Sequence, residues 1–354
     1  MTEQILKLQE TLDKLNSKTS RIFLLTMDTK GVQKASIAYN YELVKTLIEL
    51  GYNAYIMHEK NDYMSVESWL GSELSSVPHV SIESKQINVE LSDLVIVPEI
   101  FGHVLEQIKN MPCEKMILCQ SYDYILETLP PGTTWPVFGV HKSITTTKGQ
   151  SEMIKSLMPT VDVSEIQLYI PNYFKPSSKP QSPIISIHTR DQRDTMKIIK
   201  SFYLKFPQYK WISFRDLRNM SRESFAESLS DSCVSVWVDD ISGFGTFPLE
   251  SMKCGVPVVG KVPNLQPEWM TETNGVWTYE FNKVVDVLGS YINKWLEDEI
   301  PQELYDSMSK TVEVYSKDSF VSSVENTFNS IFERKIRETR INLEKLTPVG
   351  VENE

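Results

Sequence analysis

Nowhere in its 354 residues does the sequence hold an apolar run approaching the roughly 20 that a membrane-spanning helix needs. The start, MTEQILKLQETLDKLNSKTSR, alternates charge with leucine and lacks the continuous apolar stretch of a secretory signal, so a cytoplasmic protein without a membrane span is expected. Cysteine is scarce: the four residues Cys113, Cys119, Cys233 and Cys254 have no metal-ligand spacing and read as buried, reduced thiols. Positive charge is also short. Lys and Arg number 36 against 47 Asp and Glu, a net charge of -11, so the average field repels a polyanion and nucleic acid is a poor first partner. What is present is an ordinary globular composition, 41% apolar and 23% charged, in a chain long enough for two cores.

Ile5, Leu8, Leu12 and Leu15 recur at helical spacing and form one face of a short helix, which either docks on its own domain or makes an oligomer contact. RIFLLTMD (21–28), a polar loop TKGVQKAS (29–36), the helical SIAYNYELVKTLIELG (36–51) and YNAYIM make a strand-loop-helix-strand unit. SDLVIVPEI (92–100), FGHVLEQIKN and KMILCQS (115–121) continue the alternation, and Pro136–Val140 reads as one more short strand. Prolines 159, 171, 176, 180 and 183 then crowd a polar stretch that favours extended chain and marks a domain boundary. Alternation restarts with PIISIHT (183–189), a helix at 194–206, YKWISF (209–214), SRESFAESLSDS (221–232) and CVSVWV (233–238). PLESMKCG (248–255) reads as a helix closed by Gly255, and VPVVG (256–260) as the next strand. From Ile300 to Leu346 the chain is helical, with Val324, Phe328, Ile331, Phe332 and Ile336 along one side; VGVENE (349–354) is expected to fray. Such alternation specifies an α/β protein with two mainly parallel sheets covered by helices.

In an open parallel sheet, ligands bind beyond the carboxyl ends of the strands, where unpaired N–H groups and the helix dipole favour an anion. SGFGTFPLESMKCGVPVVG (242–260) sits at such a junction. Gly243 and Gly245 allow tight backbone and close approach, Pro248 suits a first helical turn, and Glu250 offers a carboxylate that accepts hydrogen bonds from a ribose diol. This segment resembles the donor-site signature of the retaining glycosyltransferases of family 4, at Gly243, Phe244, Gly245, Pro248, Leu249, Glu250, Met252, Cys254, Gly255, Pro257, Val258 and Val259. The close match covers under a tenth of the chain; IPNY (170–173) and the alternating pattern extend it loosely.

The resemblance implies a GT-B fold: two Rossmann-like domains facing across a cleft, with a C-terminal helix returning to the N-terminal domain. It implies an acceptor domain at 1–168, a donor domain at 169–320, and the returning helix and tail at 321–354. A nucleoside-diphosphate sugar serves as co-substrate, with no other cofactor and no metal. Ser242, Gly243, Phe244, Gly245, Thr246, Phe247 and Glu250 then bind the donor, with Asp240 and Gly31 of the first loop beside them. Arg190, with Arg193 or Lys197, opposes the diphosphate charge; two arginines at a helix start oppose the dipole, which favours an anionic ligand there. Glu99, His103, Gln120, Tyr122 and His141 are the acceptor-side candidates. One departure stands out: the family's first carboxylate is Ser242 here, and Asp239 and Asp240 lie just upstream. The expected activity is retaining glycosyl transfer to an acceptor hydroxyl on a glycan, small molecule, protein or modified DNA base. The alternatives are a GT-B protein that binds nucleotide or sugar without turnover and, more remotely, a two-domain sugar-binding protein of the periplasmic type.

Overall fold

The computed structural model describes residues 2–84 and 87–347, so the fraying expected of 349–354 lies outside the described residues. Seven strands form the first sheet: β1 (Arg21–Leu25), β2 (Asn53–His58), β3 (His79–Ser81), β4 (Leu94–Pro98), β5 (Glu114–Cys119), β6 (Lys142–Thr145) and β7 (Asp162–Glu165). Their order is β3-β2-β1-β4-β5-β6-β7, and every pairing is parallel. The second sheet holds β8 (Ser182–Thr189), β9 (Ser213–Asp216), β10 (Ser232–Val238), β11 (Val258–Lys261) and β12 (Val276–Thr278), ordered β12-β11-β10-β8-β9 and again parallel.

Parallel strands covered on both faces must be apolar on both. β1 shows how: Ile22 and Leu24 enter the core beneath helix Ala35–Glu49, while Phe23 and Leu25 enter the core on the opposite face. Two further cores flank the second sheet. Pro136–Val140 is not a strand. Trp135–Phe138 is a 3-10 turn with Pro136 at its start and Gly139 left-handed behind it (φ 72°), and the strand follows at Lys142–Thr145.

The sequence crosses from the first sheet to the second between β7 and β8. It returns at Ser316, whose side chain caps helix Lys317–Leu346 by accepting the Ser319 N–H. Phe320, Val324, Phe328, Ile331 and Phe332 of that 30-residue helix lie in the first sheet's core. The two crossings are tied together where the Ile170 N–H donates to the Tyr315 carbonyl at 3.0 Å. Helix Thr2–Asn16 packs on Lys317–Leu346, burying Leu12 and Leu15, so its apolar face is used within the chain. Among the described residues no helix is long and apolar enough to cross a membrane.

Candidate active site between the two sheets

Strand order reverses between β1 and β4 in the first sheet and between β8 and β10 in the second, and at each reversal the loops diverge and leave a crevice. Here the two crevices face each other. A cavity of about 430 Å³ is lined from the first sheet by Lys34, Asn40, Glu99, Gln120, Ser121 and Tyr124, and from the second by His188, Arg190, Arg218, Asp239 and residues 241–247 with Glu250.

The 242–250 segment follows β10 and enters helix Thr246–Lys253, whose N-cap is Gly245 in the left-handed region (φ 76°). A Cβ on Gly245 would stand 2.8 Å from the Trp269 ring, and the same ring's Nε1–H donates to the Phe244 carbonyl at 2.6 Å, so the position admits only glycine and the loop is clamped. Ser242 turns inward along the loop, its Oγ accepting the Gly245 N–H at 3.1 Å. Glu250 is buried (2% exposed) and lines the cavity. One of its oxygens accepts from Arg222 Nη2 at 2.8 Å; burial raises the carboxyl pKa and Arg222 pulls it back.

Arg190 also lines the cavity, with Nε donating to Asp239 at 2.6 Å and Nη1 reaching across to the Tyr124 hydroxyl at 3.1 Å. Arg218 pairs with Asp216 at 2.6 Å and donates to Thr195 Oγ1. Every arginine of the lining thus has a carboxylate partner. Lys34 does not: among the described residues its Nζ has only the Met27 sulfur, at 3.4 Å.

Arg193 and Lys197 stand outside the lining. Arg193 is a surface residue held on Asp191 (2.6 Å), and Lys197 pairs with Asp194 (2.8 Å). The dipole argument for an anion there has an internal answer: Asp191 is the N-cap of helix Gln192–Lys205, its side chain accepting the Arg193 N–H and holding the guanidinium. Asp240 also turns out of the cavity, to Lys261, whereas Asp239 lines it. Gly31 is left-handed (φ 78°) but outside the lining; its neighbours Val32, Gln33 and Lys34 contribute instead.

Of the acceptor-side candidates, Glu99 and Gln120 line the cavity, while His103 and His141 are exposed outside it and Tyr122 packs in the first sheet's second core. Glu99 is buried (4% exposed) and accepts the Ser121 N–H at 2.7 Å; burial pushes its pKa up to about 7. The Gln120 amide donates to Asn40 Oδ1 at 3.0 Å and to the Ser36 carbonyl at 3.2 Å, fixing it on helix Ala35–Glu49.

The halves touch directly beside the cavity. Ser121 Oγ–H donates to the Ile241 carbonyl at 2.6 Å, and Gln150 Nε2 donates to the Gln120 carbonyl at 2.7 Å beneath Gly243. Sequence reasoning did not single out Ser121, Tyr124, Gln150, His188, Arg218 or Arg222. His188 and Arg218 sit in strand-end segments where ligands are expected, and that position was the available signal.

Two parallel sheets facing each other across a cavity at their strand-order reversals, with the final helix returning to the first sheet, define the GT-B architecture of glycosyltransferases. The chain resembles the α-1,6-glucosyltransferase of Actinobacillus pleuropneumoniae serotype 7 (strain AP76), 22% identical over 280 residues that span 75% of this chain and 83% of that protein. Among solved structures, it superposes on the sucrose-phosphate synthase of Thermosynechococcus elongatus with a TM-score of 0.64 at 12% identity, over 89% of this chain and 100% of that one. The pneumococcal O-GlcNAc transferase GtfA, solved with UDP and GlcNAc, gives 0.60 at 9% identity over 89% of this chain and 99% of that one. No family model matches the sequence.

Proposed function

We propose that this protein transfers a glycosyl unit from a nucleoside-diphosphate sugar to an acceptor hydroxyl with retention of anomeric configuration. The donor lies against the second sheet, in a domain spanning 169–320, and the acceptor enters from the domain at 1–168. The observation that carries the reading is the burial of Glu250 in the wall of the cavity that Arg190 also lines, about one helical turn from the left-handed Gly245. Glu250 takes the ribose hydroxyls and the loop N–H groups face the diphosphate.

The bond between the anomeric carbon and the diphosphate oxygen breaks with its electron pair going to the diphosphate. The acceptor oxygen then bonds to the same face of the sugar, and its proton passes to the departing phosphate. Positive charge opposite that phosphate is worth more as the bond breaks than before it. Arg190 and Lys34 supply it, without a metal ion. Glu99, titrating near neutrality, faces the acceptor. The contact between the halves at Ser121, Gly243 and Gln150 closes the cavity to water on that side.

The relative solved with UDP makes UDP-sugars the first donors to try. Wild type, Glu250→Ala and Arg190→Ala are incubated with a panel of nucleotide sugars and acceptors, with and without chelator, and released nucleoside diphosphate is measured. Chelator-resistant turnover lost in both variants supports the reading. Nucleotide binding with no turnover across the panel refutes it in favour of a binding protein, the alternative favoured by a serine, Ser242, standing in the cavity wall with its Oγ accepting the Gly245 N–H.

A further inference from the structure

Glu250 poses a problem that its own helix does not solve. A carboxylate buried without a counter-charge takes up a proton, and a protonated carboxyl accepts from the two hydroxyls of a diol more weakly than the charged form. The counter-charge comes from another helix. Arg222, on the first turn of helix Arg222–Ser230, is itself buried (9% exposed) and donates from Nη2 to Glu250 Oε1 at 2.8 Å. It is fixed on its other side: Nε donates to the Tyr173 hydroxyl at 3.1 Å, and the guanidinium lies 5.2 Å from the centre of the Phe174 ring. Tyr173 and Phe174 belong to the crossing between the sheets, so three separated segments converge on one carboxylate. Arg222 stands in the wall shared by the main cavity and a second one of about 260 Å³ bounded by Glu42, Tyr169 and Lys317.

We propose that Arg222 is a positioning residue of the donor pocket, keeping the Glu250 carboxylate charged and turned to the pentose of the nucleotide. This rests on the reading of Glu250 given above. Around Glu250 and its partner the charged and titratable groups are Arg222, Tyr173, Cys254 at the end of the Glu250 helix, and Glu42, which is raised by burial and acts on Arg222 and Tyr173 from the second cavity, so Glu42→Gln is carried through the titrations below as a control. Burial raises both the tyrosine and the cysteine, the latter to about 12, so both stay neutral at working pH and Arg222 alone offsets the carboxylate.

UDP, ADP and GDP are each titrated by calorimetry into wild type, and the tightest binder is carried across pH 5.5 to 8.5 for Glu250→Gln, Arg222→Gln, Arg222→Lys and Tyr173→Phe. Dividing by the Glu250→Gln profile cancels the nucleotide's own titration. Removing an opposite charge at contact distance raises a carboxyl by about 1–3 units, so Arg222→Gln binds about tenfold or more weakly at the acid end and converges on wild type at the alkaline end. Arg222→Lys restores most of the wild-type profile; Tyr173→Phe moves it the same way as Arg222→Gln by less, and carries the test if Arg222→Gln does not fold. A purely structural role lowers affinity by one factor at every pH. Arg222 and Tyr173 variants with the wild-type pH profile overturn the proposal. If no nucleotide binds wild type, or Glu250→Gln binds as well as wild type, it is the donor-pocket reading that falls.

Discussion

Gly243 sits where backbone of the two halves of the molecule is in close contact, and an alanine there tests whether that contact matters for catalysis. A Cβ at this position would stand 1.7 Å from Gln150 Nε2 and 2.1 Å from the Gln120 carbonyl oxygen. The Gln150 amide cannot swing aside freely, because its Oε1 accepts from the Thr146 N–H and hydroxyl at 3.1 and 3.0 Å. The Gln120 oxygen is backbone, at the end of β5, and cannot move alone. Bringing it to 3.0 Å requires the halves to part by about 1 Å, which lengthens the 2.6 Å Ser121–Ile241 bond beyond hydrogen-bonding range. Donor groups on the second sheet move together in that parting, so nucleoside diphosphate affinity stays within about threefold, while a misplacement of about 1 Å against the acceptor side lowers kcat about 100-fold. The measurements are steady-state nucleotide release and calorimetric binding on the same preparation, with an unchanged Tm showing that the fold survives. A Gly243→Ala enzyme with kcat within about twofold of wild type refutes the reasoning, because it means the reaction tolerates an open interface.

Three other outcomes are expected. Alanine at Arg193 or Lys197, both outside the cavity, leaves turnover within about twofold, while Arg190→Ala costs about 100-fold or more in kcat, read by donor assays on the three variants side by side. Glu99 has its carboxyl raised from 4.5 to about 7, so the folded state holds the proton that the unfolded state releases. The stability this contributes is complete below pH 4.5 and lost as pH rises through 7, at most about 3 kcal/mol. Denaturation of wild type and Glu99→Gln between pH 5 and 8.5 reads it as wild-type stability falling relative to the variant; parallel curves contradict it. Phe328→Ala empties a fully buried site under the returning helix and lowers stability by about 3–5 kcal/mol in denaturant titrations.

The parts of the fold that depend on local chemistry were legible in sequence. β1, β4, β8 and β10 read as apolar runs because both their faces are covered. Gly255 (φ 71°) ends the Thr246–Lys253 helix as its position suggests. β7 was not legible, since Asp162–Glu165 is an edge strand with no buried residue and no periodic apolar signal. Pro136–Val140 misled because a short apolar stretch after proline fits a strand and a 3-10 turn equally well; only tertiary packing of Trp135 and Phe138 decides.

The position of Glu250, Gly243, Gly245 and Arg190 in the cavity wall was readable because each lies just beyond the carboxyl end of a strand, β10 or β8, next to the strand-order reversal. Arg193 was misread although the remedy was in view: Asp191 two residues earlier is an N-cap type, and a capped helix needs no ligand to justify a nearby arginine. Arg222 was invisible for a different reason. It lies 28 residues from Glu250 in sequence, and only the packing of two separate helices brings them together.

Joined at Ile170 and Tyr315, the two passages of the chain form one covalent seam between the halves, whereas ties such as Ser121–Ile241 and Arg190–Tyr124 are single hydrogen bonds. Once such bonds release, the halves pivot about the seam like a book on its spine, so the far mouth of the cleft travels furthest and Tyr169 and Tyr173 beside the seam hardly move. Paired spin labels across the mouth and beside the seam measure this as broad against narrow distance distributions. On the proposed reading, a nucleotide pocket close to the spine through Tyr173 and Arg222 keeps its shape while the opposite rim admits and releases the acceptor.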